Sequence, residues 1–226
     1  MTQASDGSIG AFFDVDGTLL DTTIVHFYAR LMTARMSPLR RAVWAAAFVP
    51  RLPLFLAVDR VSRAAFNRMF YRLYRGRDAR GIREDAESIV PDYARAKLYA
   101  DARETVRQHL DDGHTVALVT GTADFVARPV AEMLGVRDVL ATELTERDGR
   151  FSGEILGEPL SGAAKARALV EFAGRRGIDV SRSYAYGDST ADADMLAIVG
   201  NAVAVNPSRR MASVAKLRGW GIRSWR

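Results

Sequence analysis

Residues 12–20, FFDVDGTLL, constrain the fold more than any other stretch of this chain. An apolar run (Ile9, Ala11, Phe12, Phe13, Val15) meets Gly17 and Thr18, and two carboxylates, Asp14 and Asp16, stand one residue apart at the junction. A short apolar run closed by turn residues reads as a buried strand, and the carboxyl ends of strands are where open α/β sheets place their ligands. Side chains at i and i+2 share one face of a strand, so both carboxylates can project toward one substrate or metal ion. The pairing suggests a nucleophile and an acid/base partner acting on the same group.

From Tyr99 onward helix and strand signals alternate. A helix from 102 to about 112 stops at Gly113, a strand runs over 116–119, and a helix from about 123 stops at Gly135. A short strand near Val139 leads into ELTERDGRFSGEI, whose Asp148 and Gly149 signal a hairpin turn. Lys165 opens a helix ending by Gly177, and strands at 183–186 and 202–205 complete the series. The implied fold class is α/β, a Rossmann-like doubly wound parallel sheet with helices on both faces.

Polar groups recur at the ends of these elements. The run TVALVTGT carries its strand into Thr120, Gly121 and Thr122, where a hydroxyl and small residues can approach a phosphate and the following helix offers free N–H groups. Lys165 follows SGAA, and YAYGDSTADADML ends a strand in Asp188, followed by Asp192 and Asp194. Each segment alone has a plainer reading, as a solvated turn, a strand end or a water-facing lysine. Together and in this order they resemble the haloacid dehalogenase superfamily of phosphotransferases: DVDGT is like its first motif, VTGT its second, Lys165 its third and GDSTAD its fourth. The spacing is most similar to the phosphoserine-phosphatase-like subfamily IB, in which a helical cap of the C1 type follows the first motif.

The resemblance implies a core made of residues 1–21 and 99–226 and a helical cap over 22–98. It implies that Asp14 attacks phosphorus to give an aspartyl-phosphate, and that Asp16 protonates the leaving oxygen and then deprotonates water. An ordinary aspartate has a pKa of about 3.9, so keeping that proton near neutrality takes a rise of about three units, roughly 4 kcal/mol. By the same analogy Mg²⁺ is held by the Asp14 carboxylate, the Asp16 backbone carbonyl and Asp188, with Asp192 behind them orienting Lys165 or a metal-bound water. Thr120, the Gly121 N–H and Lys165 would bind the phosphoryl oxygens. Asp194 falls outside the motif and is expected on a helix surface. Dehalogenases of the family lack an acid at the position of Asp16 and its cation-pumping ATPases have threonine there, so the resemblance makes Asp16 favour phosphatase or mutase chemistry, and of the two a phosphatase.

Two departures weaken phosphoserine as the substrate. The family's phosphoserine phosphatases carry a glutamate where this chain has Thr23, and an asparagine where it has Ala191. Thr22, Thr23 and His26 lie where the cap begins and are candidates to line the site; His109 and His114 receive no role.

The charge of the cap segment is the second informative feature. Between His26 and Arg83 stand 13 arginines, no lysine and two aspartates (Asp59, Asp78), a sum of +11 in a chain whose total is +5, leaving −6 for the remainder. Within it, residues 42–58 (AVWAAAFVPRLPLFLAV) are apolar except for Arg51 and interrupted by Pro50 and Pro53, with Arg40, Arg41, Arg60 and Arg63 at the flanks. One reading is two cap helices packed against each other at VPRLP. The other is an apolar hairpin dipping into a membrane surface while arginines meet anionic head groups, which would make a lipid or prenyl phosphate a natural substrate. Phe70, Tyr71 and Tyr74 interleave with Arg68, Arg72 and Arg75 as nucleic-acid stacking platforms would, the least favoured of the three.

At 226 residues the chain can bury a full core plus an insertion. It has no cysteine, hence no disulfide or thiolate metal site. Its first residues lack a signal-peptide pattern, and no run reaches the ~18 apolar residues of a spanning helix. The expectation is a cytoplasmic Mg²⁺-dependent phosphomonoester hydrolase acting on a small-molecule or lipid phosphate, with peripheral membrane contact through the arginine-rich cap left open. The alternative is a basic membrane- or nucleic-acid-binding module whose catalysis is incidental.

Overall fold

The computed structural model describes residues 7–226. β1 (Gly10–Phe13) is buried at every position, as its unbroken apolar run requires. It pairs in parallel with β2 (Thr115–Ala123) on one side and β6 (Tyr184–Gly187) on the other. β3 (Asp138–Thr142) extends the sheet beyond β2, while β7 (Asn201–Val205) and β8 (Gly221–Arg223) extend it beyond β6, giving six parallel strands in the order β3-β2-β1-β6-β7-β8. The chain therefore winds outward in both directions from β1, the arrangement that opens a crevice at the strands' carboxyl ends. The doubly wound sheet expected from sequence is present; β8 is an addition, since three residues (GIR) exposed at a sheet edge carry no apolar alternation.

Helices α6 (Ala100–Asp111), α7 (Asp124–Met133), α8 (Ala163–Arg176), α9 (Ala193–Ala197) and α10 (Arg209–Arg218) connect the strands. α8 and α10 end at Gly177 and Gly219, both left-handed, which closes each helix without a Cβ penalty. The Asp148-Gly149 turn joins β4 (Leu144–Arg147) to β5 (Arg150–Ile155), with both turn residues at positive φ.

Between β1 and α6 lie α1 (Ile24–Thr33), α2 (Pro38–Phe48), α3 (Leu52–Val61), α4 (Arg63–Tyr71) and α5 (Ala79–Arg95). The chain leaves and returns side by side: the Asp21 N–H donates to the Lys97 carbonyl at 2.9 Å and the Tyr99 N–H to Leu19 at 3.1 Å. An aromatic cluster holds the segment together, with Tyr28 against Phe70 and Tyr74 at 5.4 and 5.1 Å between ring centres. Phe70, Tyr71 and Tyr74 are buried in it. They are core, not stacking platforms, which removes the sequence feature that pointed to nucleic acid. The β4–β5 hairpin fastens the segment to the sheet through Gly76 N–H to Phe151 (2.8 Å) and Ala79 N–H to Gly149 (2.9 Å).

Two expectations for residues 42–58 need correcting. α2 and α3 do not fold back on each other: a 3₁₀ turn (Val49–Arg51) joins them into one helix, Pro38–Val61, of 24 residues. That helix is long and apolar enough to cross a membrane by length and composition, contrary to the reading that no run is. Pro50 and Pro53 fall in the first turns of the 3₁₀ piece and of α3, where a missing N–H costs little, so they do not break the rod.

His109 is packed in the core, its Nε2 2.8 Å from the Tyr186 hydroxyl and its Nδ1 2.7 Å from that of His114. Burial, and then His114, push its pKa down from 6.5 to about 4. Above pH 6.5 the imidazole is neutral folded or unfolded; between 6.5 and about 4 only the unfolded chain takes up the proton, so stability is lost as pH falls through that window. Urea unfolding of His109→Gln should show a flatter pH dependence between those limits than the parent.

Candidate active site

Asp14 follows β1 directly, and its N–H donates to the Tyr186 carbonyl of β6 at 3.0 Å, so the residue still belongs to the sheet while its side chain clears the edge. Gly17 makes the turn after it at φ +82°, and a Cβ there would stand 2.5 Å from Asp188 Oδ2. Glycine is thus required twice over, for conformation and for close approach of the two acidic segments. Thr120 comes from β2, Asp188 from the end of β6, Lys165 from the first turn of α8 and Asp192 from the residue before α9. One pocket is lined by Asp14, Asp16, Thr120, Gly121, Thr122, Lys165, Asp188 and Asp192.

The Lys165 ammonium lies between Asp14 Oδ1 (2.5 Å) and Asp192 Oδ1 (2.6 Å), and all three side chains are buried. Asp192 is fixed from its other oxygen by the Ser189 N–H (3.1 Å) and hydroxyl (3.0 Å). The Asp16 carboxylate accepts from the Thr22 hydroxyl at 2.7 Å and from the Thr122 hydroxyl. The Thr120 Oγ1 accepts from the Thr122 N–H at 3.1 Å.

One ammonium cannot neutralise four crowded carboxylates, Asp14 and Asp192 buried and Asp16 and Asp188 half-buried. Desolvation, offset in part by Lys165 and reinforced by Asp192, pushes the Asp14 carboxyl from 3.8 up to about 7. Desolvation, then Asp192 and Asp14, push Asp188 up to about 8. Asp16 is raised by burial against the pull of the two threonines. Lys165 is held above the ordinary lysine range: burial works to lower it, but Asp14 and Asp192 outweigh burial. A divalent cation answers this excess of negative charge. Carboxylate oxygens of Asp14, Asp188 and Asp192 lie within 4.8 Å of one another, a hard-oxygen set of the kind that suits Mg²⁺.

Of the residues considered at the start of the helical segment, Thr22 reaches the site through Asp16, but Thr23 and His26 do not line the pocket. Both are exposed at the start of α1, where the Thr23 N–H donates to His26 Nδ1 at 3.1 Å, a local capping role. Asp194 is exposed on α9, as expected.

Two residues that sequence reasoning missed, Arg63 and Asn67, enter from α4 four positions apart on one helix face. Arg63 acts to lower the Asp16 and Asp188 pKa values from across the pocket. Asn67 is 1 % exposed and its Nδ2 has no partner among the described residues. That amide lies 2.9 Å from where a Cβ on Gly121 would be, over the carboxyl-terminal part of β2. A buried donor without an acceptor costs about 1–3 kcal/mol, so a ligand oxygen is its natural partner. Asn67→Ala is expected to raise KM for a phosphate monoester by about tenfold while leaving the unliganded protein as stable as before or more so, measured by steady-state kinetics alongside thermal melts. The only sequence signal was a polar residue inside the apolar-aromatic α4.

The family profile for haloacid dehalogenase-like hydrolases matches residues 11–197. Phosphoserine phosphatase SerB1 of Mycobacterium tuberculosis is 35 % identical over 98 % of this chain and 72 % of its own length. A solved structure of a protein with unknown function from Bordetella pertussis Tohama I superposes with a TM-score of 0.79 at 27 % identity, over 96 % of this chain and 98 % of that one. A structure described as a phospho-aspartyl intermediate analogue of phosphoserine phosphatase superposes with a TM-score of 0.71 at 20 % identity, over 97 % and 94 % of the two chains, a likeness of fold.

Proposed function

We propose, from the premise that this chain belongs to the haloacid dehalogenase-like hydrolases and is a phosphatase-type enzyme of that family, that it hydrolyses a phosphate monoester through an aspartyl-phosphate on Asp14. The observation that carries the reading is the meeting of Asp14 and Asp16, Thr120 and Lys165, from three separate chain segments, in one pocket.

In the first step an Asp14 carboxylate oxygen attacks phosphorus and the ester oxygen departs with a proton from Asp16. In the second, Asp16 takes a proton from water, which attacks the same phosphorus and returns the Asp14 carboxylate with release of phosphate. Thr22 and Thr122 hold Asp16 in place, and burial keeps its proton available. Lys165, the Thr120 hydroxyl, the Gly121 N–H and the Asn67 amide are the donors for the phosphoryl oxygens. Asp192 orients Lys165. Asp14, Asp188 and the Asp16 backbone carbonyl would hold Mg²⁺, which when bound supplies charge neutralisation at the phosphoryl group. Residues 22–98 act as the cap over a core of 1–21 and 99–226, consistent with the adjoining chain crossings and with Arg63 and Asn67 reaching the pocket from above.

The substrate we favour is not phosphoserine but an amphiphilic monoester such as a lipid or prenyl phosphate. Thr23, at the position where the resemblance puts the glutamate of phosphoserine phosphatases, is exposed and does not line the pocket, so it offers no carboxylate to a substrate ammonium. The mechanism is tested by Asp16→Asn. In the first step, read as pre-steady-state release of the alcohol or phenol, loss of the general acid should cost about 10²- to 10⁴-fold on an alkyl phosphate and clearly less on p-nitrophenyl phosphate, whose leaving group needs no proton. Equal first-step losses on both substrates would remove Asp16 from the acid role.

A further inference from the structure

The helix Pro38–Val61 lies along the outside of the cap segment with most of its apolar surface uncovered; 11 % of its most apolar stretch is buried. Its inner face is a stripe of aromatics. Trp44 stacks on Phe48 at 4.6 Å, and Phe55 packs on Phe70 at 5.6 Å. The outward residues are as apolar as the inner ones: Leu39 is 75 % exposed, Val43 64 %, Leu54 59 % and Val61 88 %. Single exposed leucines are ordinary, but a contiguous apolar face along a whole helix marks an interaction surface.

The charges on the helix say what covers it. Arg40, Arg51 and Arg60 are spread along its length with no acidic partner among the described residues. Its one acid, Asp59, is taken by Arg63 at 2.9 Å. We infer that this face docks on an anionic lipid surface, with the leucines and valines at the acyl boundary and the arginines on the phosphate head groups. A second copy of the chain would bring two arginine arrays together, which is repulsive. A transmembrane course would strip the aromatic inner face from Tyr28 and Phe70 and bury Arg51 in hydrocarbon, where a cation is costly. Lying on the surface satisfies both faces at once.

The docking has a consequence for the active site, and this part rests on the phosphatase reading. The last turn of the helix, Asp59 to Val61, walls a groove of about 680 Å³ that opens beside Asp188 and has Arg209 and Arg210 among its lining. A docked helix holds that groove near the head-group layer, where an amphiphilic monoester presents its phosphate.

Vesicle co-sedimentation tests the docking directly, with phosphatidylcholine vesicles alone and mixed with phosphatidylglycerol, at low and high salt. The full chain should pellet with the anionic vesicles only, and less as salt rises. Val43→Glu with Leu54→Glu should weaken pelleting by at least about tenfold, and Arg40→Gln with Arg51→Gln should remove most of the salt dependence. Both pairs should hydrolyse soluble p-nitrophenyl phosphate like the parent, which shows that they fold. The inference is overturned by no pelleting with either vesicle or by pelleting indifferent to Val43→Glu with Leu54→Glu. It is equally overturned by a dimer in sedimentation velocity that this pair dissolves, or by resistance to alkaline carbonate extraction from membranes. Vesicle binding by a protein that hydrolyses no phosphate would leave the docking standing and remove the phosphatase reading.

Discussion

An Asp14→Asn protein is expected to fold, to keep its Lys165 contact and to lose phosphatase activity by at least about 10³-fold, some 4 kcal/mol of transition-state stabilisation. The amide is the same size as the carboxylate and keeps an oxygen to accept from Lys165, now 2.5 Å from Asp14 Oδ1. It cannot form the acyl-phosphate, because an amide oxygen is a poor nucleophile toward phosphorus. Removing one of four crowded carboxylates also relieves the part that Asp14 adds, after burial and Asp192, to the upward push on the Asp188 carboxyl. The Mg²⁺-free variant should therefore melt no lower than the parent. Calorimetry and phosphate release on the same sample separate the two effects.

Lys165→Met should damage stability and activity together. The ammonium is buried between Asp14 and Asp192, and deleting it leaves these two carboxylates in a low-dielectric site without the cation between them. Breaking a buried pair in this way costs about 3–5 kcal/mol, and losing a charged donor to the phosphoryl oxygens costs about 10²- to 10³-fold in kcat. The stability deficit should shrink as pH falls, since the orphaned carboxylates then take up protons, and shrink again when Mg²⁺ is added. Urea unfolding across pH with and without Mg²⁺ reads both trends. A deficit indifferent to pH would mean that Lys165 contributes packing instead of charge.

The segments that meet in the pocket were legible because each is local: an apolar strand that must stop, and a polar group at its stopping point. Asp14, Thr120 and Asp188 fall at matching heights because β1, β2 and β6 are parallel neighbours in register, a property that the alternation of elements already implies. Arg63 and Asn67 were not legible. Their place over the carboxyl-terminal part of β2 depends on how α4 seats on the rest of the helical segment, and no spacing along the chain encodes that. His26 misled because a histidine near a site resembles a ligand, whereas its ring serves the first turn of α1. The course of Pro38–Val61 was obscured by its prolines, which read as breaks although both occupy first-turn positions.

Acid-quenching Asp16→Asn during turnover of p-nitrophenyl phosphate, reducing with borohydride and mapping the modified peptide by mass spectrometry tests the central claim most directly. This variant still forms the acyl-phosphate from a good leaving group but lacks the base that clears it, so the intermediate should accumulate and appear as a reduced residue at position 14. An enzyme that turns over phosphate monoesters with no modification at Asp14, or with the phosphoryl group on another side chain, would contradict the account.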